Sequence, residues 1–147
     1  MNERRAFSLI ELLIVLAILA VMLAIAAASL RPFMQRSKLA EAASQVATDL
    51  QRTRSFAQRE NVAAHWTLMD SQSYRLTLDT QTLDYQLPTG LTFTSPAAGT
   101  TITYTAPYGE LAAAVPTKIT LEGYGYVTEV RVVGVTGKVI RAEVKKK

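Results

Sequence analysis

The chain has 147 residues, 49 % apolar and 19 % charged, with a formal net charge of +4. That is enough for one domain with its own core, too apolar for a disordered chain and too sparsely charged for an average soluble one. With no cysteine there is no disulfide framework or thiolate metal site, and the single histidine, His65, excludes a multi-histidine one.

Residues 1–6 form a short, polar, basic leader. Phe7 to Leu30 follow, 24 residues interrupted only by Ser8, Glu11 and Ser29. As a helix this stretch is about 36 Å long, sufficient for a hydrocarbon core of about 30 Å. A soluble core helix seldom stays apolar on every face for so long, so the segment reads as membrane-inserted at some stage. Flanking charge leaves its orientation open, since Arg4 and Arg5 stand at one end and Arg31, Arg36 and Lys38 at the other.

Glu11 is the one charge inside this stretch. At the centre of a spanning helix a carboxylate costs about 2.5–3.5 kcal/mol, less near an end. Two readings of it stand side by side. If the chain is cut before Phe7, the new α-amine lies one helical turn from Glu11, and a neighbouring copy's amine is also within reach. Otherwise Glu11 sits at headgroup depth.

From Phe33 to Glu60 the apolar positions thin to Leu39, Ala43, Val46, Leu50 and Ala57. Their spacing predicts a one-faced helix with Arg36, Lys38, Glu41, Asp49, Arg52 and Arg59 mostly toward water. Pro32 lacks an amide proton and clashes with the preceding turn, which predicts a bend at that junction. One long helix from Phe7 to Glu60 is the economical arrangement.

Beyond Asn61 the period becomes two. Tyr74, Leu76 and Leu78 alternate with polar residues, as do Leu83, Tyr85 and Leu87. This predicts a hairpin with Leu78 opposite Leu83 and a four-residue loop over Asp79–Thr82. Further strands are expected at Ala64–Met69, Leu91–Thr94, Thr101–Thr105 and Lys118–Glu122. In the last hairpin Val130 and Val132 should face inward, with Ile140, Ala142 and Val144 on the returning strand. That parity asks for a three-residue loop, Val135–Gly137, and sets Arg131 opposite Arg141 and Glu129 opposite Glu143. The expected fold class is α+β: an N-terminal helical spine, its first half transmembrane, on a C-terminal antiparallel sheet domain over residues 61–147.

Nucleophile elbows, phosphate loops, dinucleotide fingerprints and calcium loops are all missing, so no enzyme and no cofactor are expected. His65 beside Trp66 reads as a structural imidazole. A signal-peptidase site after Ala28 is the ordinary-secretion alternative, but an apolar run from Leu12 to Ala28 exceeds the usual length of about 7–15 residues.

The run Arg4-Arg5-Ala6-Phe7-Ser8-Leu9-Ile10-Glu11-Leu12-Leu13 resembles the prepilin motif of type IV pilins and type II secretion pseudopilins. The resemblance implies removal of the leader at Ala6–Phe7 by a membrane prepilin peptidase, N-methylation of Phe7, and use of Glu11 in assembly. Alanine stands at Ala6, where the family usually has glycine. The implied protein is an inner-membrane subunit whose apolar helix enters the core of a periplasmic or extracellular filament, with other pilins and an assembly platform as partners.

The rest is similar to the GspH/FimT type of minor pilin. That similarity lies at Arg59-Glu60-Asn61, Ile102-Thr103-Tyr104, Pro107–Glu110, Lys118–Leu121 and the terminal turn at Gly137-Lys138-Val139. It also implies an alternative use, DNA uptake through a basic C-terminal patch. Residues 131–147 carry a net +5, and Arg131, Lys138, Arg141, Lys145, Lys146 and Lys147 are the residues concerned. On the predicted register Arg131, Arg141 and Lys145 share the outer face. The competing reading is an edge strand guarded by lysines.

Overall fold

The structure is a computed structural model that describes residues 9–112 and 118–147. It divides into two compact units, Met1–Met34 and Gln35–Lys147. Helix α1 runs from Leu9 to Glu60, 52 residues, with Pro32 inside it and no break in the helical assignment. It stops where Asn61 turns to φ 56°, a left-handed conformation that asparagine tolerates better than most residues and that closes helices. Arg59 in the last turn complements the negative end of the helix dipole.

In the first unit the helix is exposed all round. Every large apolar side chain from Leu9 to Met34 keeps at least half its surface open, and the mean hydropathy of the best 18-residue window is 3.0.

The second unit holds the core. Five antiparallel strands form one sheet in the order β3-β2-β1-β5-β6: β1 Ala64–Leu68, β2 Ser73–Leu78, β3 Gln81–Gln86, β5 Thr101–Thr105 and β6 Glu110–Leu111. The other contains β4 Leu91–Ser95, β7 Lys118–Gly123, β8 Tyr126–Val133, β9 Lys138–Arg141 and β10 Lys145–Lys146. Its order is β4-β7-β8, with β9 and β10 pairing β8 in succession. The strands expected at Ala64, Leu91, Thr101 and Lys118 are present to within a residue or two. The short strands β6 and β10 carry too few residues to show a period.

Two hairpins differ from expectation. In β2–β3 the partners are Leu76 with Leu83 and Leu78 with Gln81, so the turn has two residues, Asp79-Thr80, where four were predicted. Asp79 adopts φ 55°, and its short polar side chain makes that left-handed step affordable. The even loop preserves parity, so the inward sets stay inward.

The terminal hairpin departs by one residue. Val132 pairs with Val139 and Val130 with Arg141, across a four-residue turn, Gly134–Gly137, where three were predicted. Gly134 and Gly137 both take positive φ, and the Gly137 amide donates to the Gly134 carbonyl at 3.2 Å. Farther on, Lys145 pairs with Val127, so the strand has gained one residue across 142–144. The predicted register is therefore wrong near the turn and right beyond this bulge. Ile140 is exposed, whereas Ala142 and Val144 are half-buried as predicted. The two predicted like-charge oppositions are absent: Arg131 faces Ile140 on β9 and Glu129 faces Thr120 on β7, while Arg131 stands opposite Lys118 on β7, with Glu129 bridging the two cations.

Candidate functional site

Glu11 lies in the first turn of α1 and is exposed, where the positive end of a helix dipole favours a carboxylate. From Leu9 to Leu30 it is the only charged residue. Ser29 turns its hydroxyl back to the Ala26 carbonyl at 2.8 Å, satisfying it within the helix. Ala6 and Phe7, the residues expected at the processing point, lie outside the described residues. The exposed surface of this segment is thus one carboxylate at the head of an otherwise apolar cylinder.

Within the second unit, Leu39, Ala43, Val46, Leu50 and Ala57 are fully buried, the stripe predicted from their spacing. They pack with Trp66, Leu76, Ile102, Tyr104 and Leu121 in one cluster that draws on both sheets. Asp49 departs from expectation. Asp49 was placed toward water but is 2 % exposed, because it falls on the same stripe three residues after Val46. Its carboxylate accepts hydrogen bonds from the Tyr74 hydroxyl at 2.5 Å and from Gln45 Nε2 at 3.1 Å. Arg36 is exposed, as expected, and lines a cleft with Ala40.

Aromatic rings extend this contact. Tyr74 stacks on Tyr85 with centroids 5.3 Å apart and on Trp66 at 5.4 Å, with Phe93 edge-on to Tyr74 at 6.0 Å. Burial first, and the Asp49 carboxylate second, raise the Tyr74 phenol above its ordinary pKa. At the far end of the helix, Arg54 Nε donates to the Gly109 carbonyl and Gln58 Nε2 to the Tyr108 carbonyl, holding the β5–β6 loop. A Cβ at Gly109 would come within 2.8 Å of Gln58 Cγ, so the loop backbone lies directly against these side chains. A sequence signal for the inward placement of each residue was available, though none for their pairing. Asp49 interrupts an apolar stripe at helical spacing, and Tyr74 sits on the inward parity of β2.

The C-terminal basic residues are not one patch. Arg141 pairs with Val130, an inward residue, so its side chain lies on the helix-facing side and its Nη1 reaches the Ala40 carbonyl at 3.4 Å. Arg131 is on the other face, bound to Glu129 at 2.8 Å, and Glu129 also holds Lys118 at 2.6 Å. Lys147 is paired with Glu122 at 2.7 Å. Lys145 pairs across from Val127, Lys146 across from Tyr126 and Lys138 across from Val133. The expectation that Arg131, Arg141 and Lys145 share one face is corrected: the one-residue change at the turn reverses Arg141, and the bulge restores parity only after it.

His65 Nδ1 lies 2.9 Å from the Thr103 hydroxyl across the β1–β5 pair, a partner that needs no ligand. No cluster of His, Cys, Asp or Glu suited to a metal occurs among the described residues.

Residues 1–27 match a family model described as the prokaryotic N-terminal methylation motif. The match spans the basic leader, Ala6, Phe7, Glu11 and most of the apolar stretch, and it supports the likeness to type IV pilins and pseudopilins. Comparisons with curated proteins and with solved structures gave no match.

Proposed function

We propose that this chain, type IV pilin-like by the methylation motif over residues 1–27, is a structural subunit of a pilus or secretion pseudopilus, assembled through its N-terminal helix. The observation that carries the reading is the apolar segment from Leu9 to Leu30, exposed on every side next to that motif. Sixteen large apolar side chains from Leu9 to Met34 lie open, and keeping such a set in water costs on the order of tens of kcal/mol. Lipid before assembly and neighbouring helices after it both remove that cost, so transfer between them is feasible.

In this reading a prepilin peptidase cuts between Ala6 and Phe7, and Phe7 is N-methylated. Glu11 then meets the new amine of a neighbour in the apolar filament core. A charge pair there is worth far more than at a water-exposed surface, and an unpaired carboxylate is costly, so the contact fixes axial register. Before assembly the subunit is a single-pass inner-membrane protein. The sequence similarity of the strand region to GspH/FimT-type subunits supports a minor position in the filament.

The test is the intact mass and N-terminal sequence of the protein from its native membranes. A chain beginning at methylated Phe7 is expected. A chain beginning at Ser29 or Met1 removes the assembly mechanism.

A further inference from the structure

We propose that the cleft lined by Arg36 and Arg141 binds a phosphate-type oxyanion, carried by the headgroup of an anionic phospholipid. The cleft has a volume of about 250 Å³ and lies wholly within the second unit, between Arg36 and Ala40 of α1 and the bulged segment 141–144. Its origin is the extra residue of the last strand. The register changes from Val130–Arg141 to Val127–Lys145, and the chain between them, Ala142 to Val144, forms one wall.

The backbone groups of Ala142 in that wall are already satisfied. Thr128 donates its hydroxyl to the Ala142 carbonyl at 3.0 Å, and the Ala142 amide donates to the Glu129 carbonyl at 2.8 Å. What remains are two guanidinium groups and the Glu143 carboxylate. Arg141 has a single 3.4 Å contact with the Ala40 carbonyl, at the outer limit of a hydrogen bond. Neither Arg36 nor Arg141 forms an ion pair among the described residues, although Arg59, Arg75 and Arg131 all do. Glu143 also lines the cleft and pairs with neither arginine.

Two guanidinium groups against one carboxylate leave the cleft a net positive charge, which favours an anion between the arginines. Planar guanidinium forks match phosphate oxygens in pairs, and both side chains are exposed enough to meet a ligand presented at a surface. Chain spacing favours lipid as the source. Arg36 follows Leu30, the end of the apolar stretch, by six residues. Six residues of chain in any conformation keep Arg36 within about 20 Å of that end, close enough to meet a headgroup. The proposal rests on the membrane residence argued above and is independent of filament assembly.

The experiment uses the full chain in dodecyl maltoside micelles, in phosphate-free buffer, with the arginine Nε–Hε signals followed by NMR. Phosphatidylglycerol, phosphatidylcholine and inorganic phosphate are titrated separately. Saturable shifts at Arg36 and Arg141 with phosphatidylglycerol, at concentrations where phosphatidylcholine gives none, are expected. Arg36→Gln should weaken the Arg141 response about tenfold, and Glu143→Gln should strengthen it. Unchanged amide signals for Asp49 and Tyr74 verify that each variant keeps its fold.

Saturation by inorganic phosphate alone supports the oxyanion site and overturns lipid as its source. Equal responses to both lipids overturn the preference for an anionic headgroup. Silence of both arginines toward every probe, or an Arg141 response unaffected by Arg36→Gln, overturns the site. A chain that stays soluble without detergent defeats the membrane reading separately.

Discussion

The Tyr74 hydroxyl donates a 2.5 Å hydrogen bond to the Asp49 carboxylate, and each residue is only 2 % exposed. The pair joins α1 to β2 at the centre of the aromatic stack. Gln45 supplies a second donor to the same carboxylate oxygen. A buried carboxylate left short of donors keeps its desolvation cost, whereas its lost bond is not replaced by water. Tyr74→Phe should therefore destabilise the second unit by about 1.5–3 kcal/mol. Asp49→Asn should cost less, because the amide oxygen still accepts from Tyr74. Denaturant unfolding of the full chain in micelles, read by Trp66 fluorescence, measures both, and the double variant should show clear non-additivity.

Tyr104 gives the opposite expectation. It is fully buried, and its hydroxyl has no hydrogen-bond partner among the described residues. Removing an orphaned hydroxyl leaves nothing unsatisfied behind, so Tyr104→Phe should be neutral or stabilising by about 1 kcal/mol. The same unfolding assay separates it from Tyr74→Phe by sign.

The two phenols also set an alkaline limit. Burial pushes Tyr104 up to about 12, and Tyr74 is raised as well. A folded value above the unfolded one, about 10, means that the unfolded chain loses these protons first. The Tyr104 contribution to stability is complete below pH 10 and is lost as pH rises through about 12, and that of Tyr74 adds in the same direction. Phenolate absorbance at 295 nm should gain a cooperative component that coincides with unfolding, smaller in Tyr104→Phe. A component that appears well before unfolding would contradict the buried placement.

Gly137 is buried against the Tyr104 ring at φ 64°, and a Cβ there would stand 2.5 Å from Tyr104 Cε1. Ring and turn backbone both lack room to retreat, because the neighbouring Val135 carbonyl is tied to the Leu111 amide at 2.9 Å. Gly137→Ala should cost about 1–3 kcal/mol, combining left-handed strain with the clash. Gly99, with nothing within 4 Å of its would-be Cβ, is the control: its alanine variant carries only the backbone strain.

For the assembly reading, Glu11→Gln should leave membrane insertion and cleavage after Ala6 intact while lowering recovery in sheared filaments. Glutamine keeps the length of the side chain and removes the charge that meets the amine. Comparing the filament and membrane fractions reads the effect directly; undiminished recovery in filaments would remove the proposed role of Glu11.

Long periodic signals were legible in the sequence, and single-residue decisions were not. The stripe Leu39–Ala57 and the exit near Glu60 follow from helical spacing and from the change to a period of two after Asn61, and both stand in the structure. The β2–β3 parity also stands, because any even loop preserves it. Loop length there turned on Asp79 entering the left-handed region, a choice that hydrophobic alternation does not encode. Asp49 was misplaced because its charge was weighed above its position, three residues beyond Val46 on the buried stripe. Its partner lies 25 residues away on another element, so the pairing becomes visible only when the sheet is seated on the helix. The cleft at Arg36 and Arg141 depends on a bulge, and no periodicity marks a bulge that repairs its own shift.

That repair has a consequence for how the chain tolerates change in length. The four-residue turn and the extra residue at 142–144 offset one another, so the last strand carries one residue of slack between two anchored registers. A one-residue deletion between Ala142 and Val144 leaves every pairing before Arg141 in place and removes the slack. The same deletion inside β7 or β8 would reverse the inward and outward faces of the strand. Length variation at 142–144 therefore keeps the paired registers on either side, and it acts by reshaping a surface cleft together with the local contacts of Ala142 and Val144.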